Sequence, residues 1–460
     1  MRRSSAALIN GKVLPMILRM AFPMLLSMIG MMAFNLIDTF FIGLLGTEAL
    51  AAISFTFPVV MVVGSISLGI GTGVTSALSK AIGENSENAN SNPDEKQKRL
   101  STDSLLLSLV VVTIIIIIGL PSIGAIFKLL GASEEILELI KEYMVIWYAG
   151  IPFLVVPMVG NSIIRSTGDT KTPSIIMGVA LIINIIMDPL LIFGWGPIKP
   201  MGLAGAAWAT VIARMSTLVV SVLILHYRER LILWKIPKFR ETIESWKLVL
   251  YIGLIAAGTN LINPITIGVI TKLVSSFGTE AVAAMGVSLR IEMFSMTPIM
   301  AVGSALAPFI GQNSGAKKGD RIMLALNRTY RMAILHGLFL FILYFFIGDH
   351  IAGLFSKNER VIELTIEYLS IVTISLGFSG SVLISSIAFN AQHKPLHASM
   401  VTLFRLLALF IPLALILTQY YGITGIFYAA FFANIVGGIF SISSIKSYLM
   451  SKGIFGKIIL

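Results

Sequence analysis

Two carboxylates sit where a carboxylate is costly. Asp38 lies in MMAFNLIDTFFIG and Asp188 in LIINIIMDPLLIFG, each inside a long apolar run. An ionisable side chain at the centre of a bilayer costs about 2.5–3.5 kcal/mol on insertion scales, so such a residue marks a functional position by default. Each acid has an amide about one helical turn before it. Asn35 shares a helix face with Asp38, and Asn184 shares one with Asp188. Pro189 follows directly, and a proline inside a helix frees the carbonyl four residues back, here that of Ile185. Thr210, in GLAGAAWAT, adds a hydroxyl among small residues that allow close helix approach. Together these groups form an all-oxygen set. Hard cations prefer oxygen ligands, so the set suits Na⁺. It suits a proton equally, because two carboxylates close together in low dielectric do not both ionise easily. The competing reading is that each acid only braces its own helix. That the helices meet is an expectation for the structure to test.

The elements that carry these residues are membrane helices. Of the 460 residues, 56% are hydrophobic and only 12% charged, where a soluble domain carries roughly 25% charged residues. A spanning helix needs about 20 mostly apolar residues. Twelve such spans are expected, at about 15–42, 48–82, 101–128, 135–165, 172–195, 203–227, 247–275, 281–311, 322–350, 361–388, 396–419 and 423–450. The fold class is therefore all-α and integral to the membrane. The short basic N-terminus reads as cytoplasmic, with no removable signal peptide.

The spans repeat. GTEALAA at 46–52 matches GTEAVAA at 278–284, offset by 232. SALSKAIGENS at 76–86 matches SALAPFIGQNS at 304–314, offset by 228. GDTKTP faces NAQHKP at an offset of 222, and GLAG faces GITG at 220. Four matches in one order imply two six-helix bundles of the same orientation, related by an axis along the membrane normal. The expected division is a lobe at 1–227, a cytoplasmic linker at 228–246 and a second lobe at 247–460. Two similar bundles can rock about a central cleft, which favours a transporter. The second half lacks the acid pair, since Asp38 faces Ile270 and Asn184 and Asp188 face Leu406 and Phe410. It offers Lys272, Arg290, Glu292 and Arg405 instead, and Arg290 and Glu292 read as snorkelling groups near a helix end. Prolines recur within the spans, and Pro23 in the first is the expected hinge.

Charge sets the orientation. Lys96, Lys98 and Arg99 follow span 2, and Arg228, Arg230, Lys235, Lys238 and Arg240 follow span 6. The alternate loops are poorer in Lys and Arg, so both termini are expected on the cytoplasmic side of the cell membrane. The net charge of +11 is spread over short loops and does not form a nucleic-acid surface. The chain has no cysteine, which excludes disulfides, thiol nucleophiles and cysteine-held metals. Its five histidines form no HExxH pair. An intramembrane enzyme therefore has no visible machinery, and no cofactor is expected.

Taken together, the proline-led first helix with Asp38 and FIGLLGTEALAA, the RSTGDTKTP segment, the Asn184/Asp188-Pro189 motif, GLAGAAWAT and the parallel repeat resemble the multidrug and toxic compound extrusion (MATE) transporters, over nearly the whole chain. The acid pattern is similar to that of the DinF-type branch, and the segments GLIAAGTNLINPI of helix 7 and SVLISSIAFNAQ of helix 10 carry no carboxylate of the kind the other branch relies on. The resemblance implies a monomeric antiporter that exports cationic or amphiphilic drugs by alternating access, coupled to H⁺ or Na⁺. It implies a cation site at Asp38, Asn184, Asp188 and Thr210, with Asn35, Ile185 and Pro189 in support. Phe34 stands where some members of that branch have a tyrosine, so a hydrogen bond to Asp38 from that position is absent. The alternative within the superfamily is a flippase for lipid or lipid-linked oligosaccharide, with Arg165, Arg214, Lys272 and Arg405 as candidates to meet pyrophosphate.

Overall fold

The computed structural model describes residues 7–85, 93–234 and 239–454. Much of the polar loop at 84–99 and part of the 228–246 stretch lie outside the described residues. The described chain is almost wholly helical, and its only β feature is an isolated bridge between Trp195 and Ile198. Twelve helices are long and apolar enough to cross a membrane. We number them α1 (Val13–Gly43), α2 (Thr47–Glu84), α3 (Glu95–Leu129), α4 (Glu134–Ser166), α5 (Lys171–Ile192), α6 (Gly202–Arg228), α7 (Phe239–Ser275), α8 (Thr279–Gly315), α9 (Gly319–Phe355), α10 (Glu359–Ala391), α11 (Pro395–Tyr421) and α12 (Ile423–Ser451). With no water in the hydrocarbon core, a spanning segment must satisfy its own backbone, and a helix does so internally. Large side chains such as Phe22, Leu36, Phe40, Ile117, Phe345 and Phe346 stay well exposed, as they can where lipid is the solvent.

The helix ends carry the expected caps. Asp94 accepts from the Gln97 backbone N–H at 2.7 Å, and Asn358 accepts from Arg360 and Val361. Such side chains take up donors that the first helical turn leaves unpaired. The repeat is visible in the backbone too. Gly46 and Gly278, which precede α2 and α8, both have positive φ, at 119° and 101°, where glycine has no steric penalty.

Packing groups the residues into two compact units. One holds Phe22–Ala257, and the other holds Leu8–Ala21 with the chain from Gly258 onward. The chain therefore passes between units inside α1 and again inside α7. The α7 helix begins at Phe239, within the stretch expected as linker, because its amphipathic first turns pack on α3. Thr242 Oγ1 donates to Asp103 at 3.1 Å, and the Trp246 indole N–H donates to the Asp103 carbonyl at 2.8 Å.

In the first unit, one apolar cluster joins α2, α3, α4 and α6 through Phe127, Met144, Trp147, Tyr148 and Ala206. A second cluster, around Ile70, Leu78, Val159, Ile163 and Val249, fills the other end. In the second unit a single cluster brings α7, α8, α10, α11 and α12 together around Met285, Tyr368 and Phe427.

Small residues set the closest crossings. A Cβ on Gly205 would stand 2.5 Å from the Leu191 carbonyl oxygen, and one on Gly425 would stand 2.3 Å from that of Leu417. The same α5–α6 crossing thus recurs at α11–α12. At the α4–α5 turn, Asp169 accepts from the Thr172 N–H at 3.0 Å and from its hydroxyl and Arg228 at 2.5 Å each. Burial works against this carboxylate, but the Thr172 bonds and the Arg228 guanidinium outweigh it and hold the acid below its usual range.

Two outcomes follow. Gly205→Val should destabilise the first unit by about 1–3 kcal/mol or more, while Gly64→Ala, with nothing within 4 Å of the added atom, should leave the detergent-solubilised melting temperature nearly unchanged. Arg228→Ala should cost about 1 kcal/mol at neutral pH, discounted because Arg228 is nearly half exposed. Because the Asp169 pKa is depressed in the fold, this contribution is present above the ordinary value of 3.8 and fades as pH falls below it. Melts of wild type and variant should therefore converge at the acid end.

Candidate cation site and its counterpart in the second unit

The first unit brings together four residues from three helices. Asn184 and Asp188, one turn apart on α5, are both fully buried. The Asn184 amide donates to Asp188 Oδ1 at 3.0 Å. Asp38 arrives from α1, half-buried, with the Thr210 hydroxyl of α6 in hydrogen-bonding reach and its charge within range of Asp188. Close packing of α5 on α6, permitted by Gly205 and its alanine neighbours, puts Thr210 there.

Three oxygens of this group are buried without any hydrogen-bond partner: Asp38 Oδ1, Asn184 Oδ1 and Asp188 Oδ2. A buried polar atom left unpaired costs about 1–3 kcal/mol, and most such atoms in folded proteins are satisfied. Three unpaired acceptors on neighbouring side chains form a donor set for a proton or a small cation.

The supporting residues divide. Pro189 lies within α5 as expected. The Ile185 side chain is 37% exposed, unlike the fully buried Asn184 and Asp188. Asn35 is exposed, and among the described residues its side chain makes no polar contact with the other three. A spacing of three leaves an offset of about 60° between the two side chains, and here Asn35 falls on the exposed side of it. Pro23, the expected hinge, sits beside the point where α1 passes from one unit to the other, and its carbonyl accepts from the Ser174 hydroxyl at 2.6 Å.

Two partners were not assigned from sequence. Arg214 of α6 interacts electrostatically with Asp38. Its guanidinium lies 4.8 Å from the centre of the Phe34 ring, a cation–π contact. Phe34, noted above only for the hydroxyl it lacks, thus serves as the surface on which Arg214 rests. Tyr143 of α4 is buried within range of both carboxylates. Arg214 was legible as a basic residue inside an apolar span, and one turn separates it from Thr210, a spacing that places both on one face.

The second unit holds a different cluster, which corrects the reading of Glu292. This residue does not snorkel from a helix end. It lies about a third of the way along α8, accepts a short hydrogen bond from the buried Tyr368 hydroxyl, and interacts with Arg405 of α11. The repeat sets Glu367–Tyr368 against Glu142–Tyr143, and each tyrosine stands beside the acid of its own unit. Arg214 and Arg405 each face a carboxylate, so neither belongs to a purely cationic patch of the kind that pyrophosphate would require. Among the described residues, no cluster of three or more His, Asp or Glu side chains could hold a metal ion.

Comparison with known proteins agrees with this architecture. The MatE family profile matches residues 23–190 and 255–416, one block in each half. A protein of Shewanella oneidensis named as an FAD transporter is 38% identical over 94% of each chain. A probable multidrug resistance protein of Bacillus subtilis, YoeA, is 26% identical over 86% of this chain and 85% of that one. Among solved structures, the Vibrio cholerae MATE transporter VcmN in its bent form superposes with a TM-score of 0.90 at 28% identity, over 99% of this chain and all of that one. By sequence and by fold, the chain belongs to the MATE family of multi-pass membrane transporters.

Proposed function

We propose that this protein is a cation-coupled antiporter of the cell membrane that exports planar, amphiphilic organic molecules while H⁺ or Na⁺ moves inward through Asp38 and Asp188. The observation that carries the reading is the set of three unpaired, buried acceptor oxygens on Asp38, Asn184 and Asp188. With both acids ionised and Arg214 charged, the group has one net negative charge. One proton or one monovalent cation neutralises it, so the site works as a single-charge switch. Substrate and cation each weaken the other's binding, as reciprocal coupling requires. Asp38 rides on α1, which passes from one unit to the other beside Pro23. Neutralising Asp38 changes what α1 packs against, and Pro23 is the hinge at which it bends. The basic loops place both termini in the cytoplasm, and a monomer suffices because the two units complete the repeat.

The substrate class rests on relatives. Multidrug proteins such as YoeA support cationic or amphiphilic drugs. The 38% identity to a protein named as an FAD transporter supports a flavin, which is likewise planar and amphiphilic. The flippase alternative is weaker, because both Arg214 and Arg405 are already compensated by acids.

In cells lacking their own pumps, wild type should expel ethidium and release flavin to the medium. Asp38→Asn and Asp188→Asn, at equal membrane expression, should lower the initial efflux rate at least about tenfold, in line with the loss of one buried charged interaction. Equal efflux by wild type and both variants would show that the acids are only structural.

A further inference from the structure

The second unit encloses a cavity of about 140 Å³. Six polar side chains from five helices line it: Asn263 and Thr266 of α7, Glu292 of α8, Tyr368 of α10, Arg405 of α11 and Asn434 of α12. The rest of the wall is apolar, with Leu289, Ile426 and Phe410 among it. Nothing in the cation-coupled switch of the first unit uses this space.

The hydrogen bonding of these six groups is unevenly filled. Arg405 Nη1 donates to Asn434 Oδ1 at 2.8 Å, and Asn434 Nδ2 donates on to Ser375 at 3.0 Å. That relay fixes which way the Asn434 amide points and holds the guanidinium against the wall. Arg405 Nε is buried without a partner. Thr266 is 3% exposed, and its hydroxyl has no partner either. Glu292 spends one oxygen, Oε2, on the Tyr368 hydroxyl. The cavity therefore presents free donor capacity at Arg405 and Thr266 and free acceptor capacity at Glu292.

Charge narrows the ligand further. Glu292 and Arg405 compensate each other electrostatically without a direct ion pair, since none joins them among the described residues within the 4 Å limit of a salt bridge. A ligand with a net charge would disturb this balance. An uncharged ring edge that alternates carbonyl and N–H would complete it, because it accepts from one side and donates to the other. The backbone is also unusual at this point. Residues Phe404–Phe410 of α11 form a π-helical turn around Arg405, and such turns inside α-helices occur frequently at functional sites.

We propose that this cavity is a substrate subsite that binds the edge of an uncharged, imide- or amide-bearing heterocycle, with Arg405 and Thr266 donating to its carbonyls and Glu292 accepting from its N–H. The pyrimidine-type ring of a flavin has this chemistry and is uncharged at neutral pH. The inference deepens the export reading and rests on it for the direction of transport. It adds a recognition site in the second unit, apart from the coupling site in the first.

The test is a riboflavin titration of the full-length protein in nanodiscs, followed by quenching of flavin fluorescence. Wild type should bind. Thr266→Val and Glu292→Gln should each weaken binding at least tenfold, and Ala430→Phe, which fills the cavity, should abolish it. A melting curve for each variant separates lost binding from lost folding, and the conservative Thr266→Val decides if the others fold poorly. Wild-type failure to bind riboflavin, or equal affinity in folded Thr266→Val and Ala430→Phe, overturns the proposal. Ethidium efflux by wild type, measured alongside, reports on the export reading separately. If that efflux stands while the flavin result fails, the cavity proposal alone is wrong.

Discussion

A charged side chain in hydrocarbon must find its partner inside the protein, because no water is there to solvate it. Both units are built around this constraint. In the first, Asp38 and Asp188 are drawn together from α1 and α5, with Thr210, Tyr143 and Arg214 around them. In the second, Glu292 takes Tyr368 and Arg405. Helix crossings that would clash with a single Cβ, at Gly205 and Gly425, bring the contributing helices close enough for these partners to meet. The glycine crossings and the ionic clusters are therefore one feature, since the first makes the second possible.

The two units share a scaffold and differ in how completely they satisfy it. The second unit pairs one acid with one arginine and one tyrosine, and the sum of charge is near zero. The first unit carries two acids against one arginine and leaves three acceptor oxygens unpaired. In the antiport proposal, a single cation closes that gap. The two halves thus carry one balanced cluster and one unbalanced cluster, and only their tyrosines, Tyr143 on α4 and Tyr368 on α10, stand on matching helices.

Much of this was legible in the sequence. The twelve spans follow from hydropathy, and the repeat follows from four ordered matches whose backbone echo is the positive φ at Gly46 and Gly278. Asn184 and Asp188 were legible because both lie on one helix, where spacing alone sets the face. The roles of Arg214 and Tyr143 were not, because they act on residues of other helices, and one-dimensional spacing says nothing about which helices meet. Asn35 was placed with Asp38 on the strength of a spacing of three, and the structure shows how loosely that spacing fixes a face when the neighbour beyond it is open. Glu292 read as a peripheral charge although the expected span at 281–311 already enclosed it, because its partners Tyr368 and Arg405 stand on other helices and cannot be read from its own. The early start of α7 has a similar origin. Its first turns are amphipathic, so composition resembles a linker, and only Asp103 on α3 reveals the packing.

The central claim is that one cation exchanges against substrate through Asp38 and Asp188. It is tested most directly with purified protein in sealed liposomes, where an imposed substrate gradient drives the ion. An outward flow of ethidium or flavin should produce a counterflow of H⁺, read by an internal pH dye, or of Na⁺, read by isotope. The counterflow should be near one ion per monovalent charge neutralised, and absent when Asp188 is replaced by Asn. Substrate movement with no ion counterflow, or counterflow unchanged in that variant, would contradict the account.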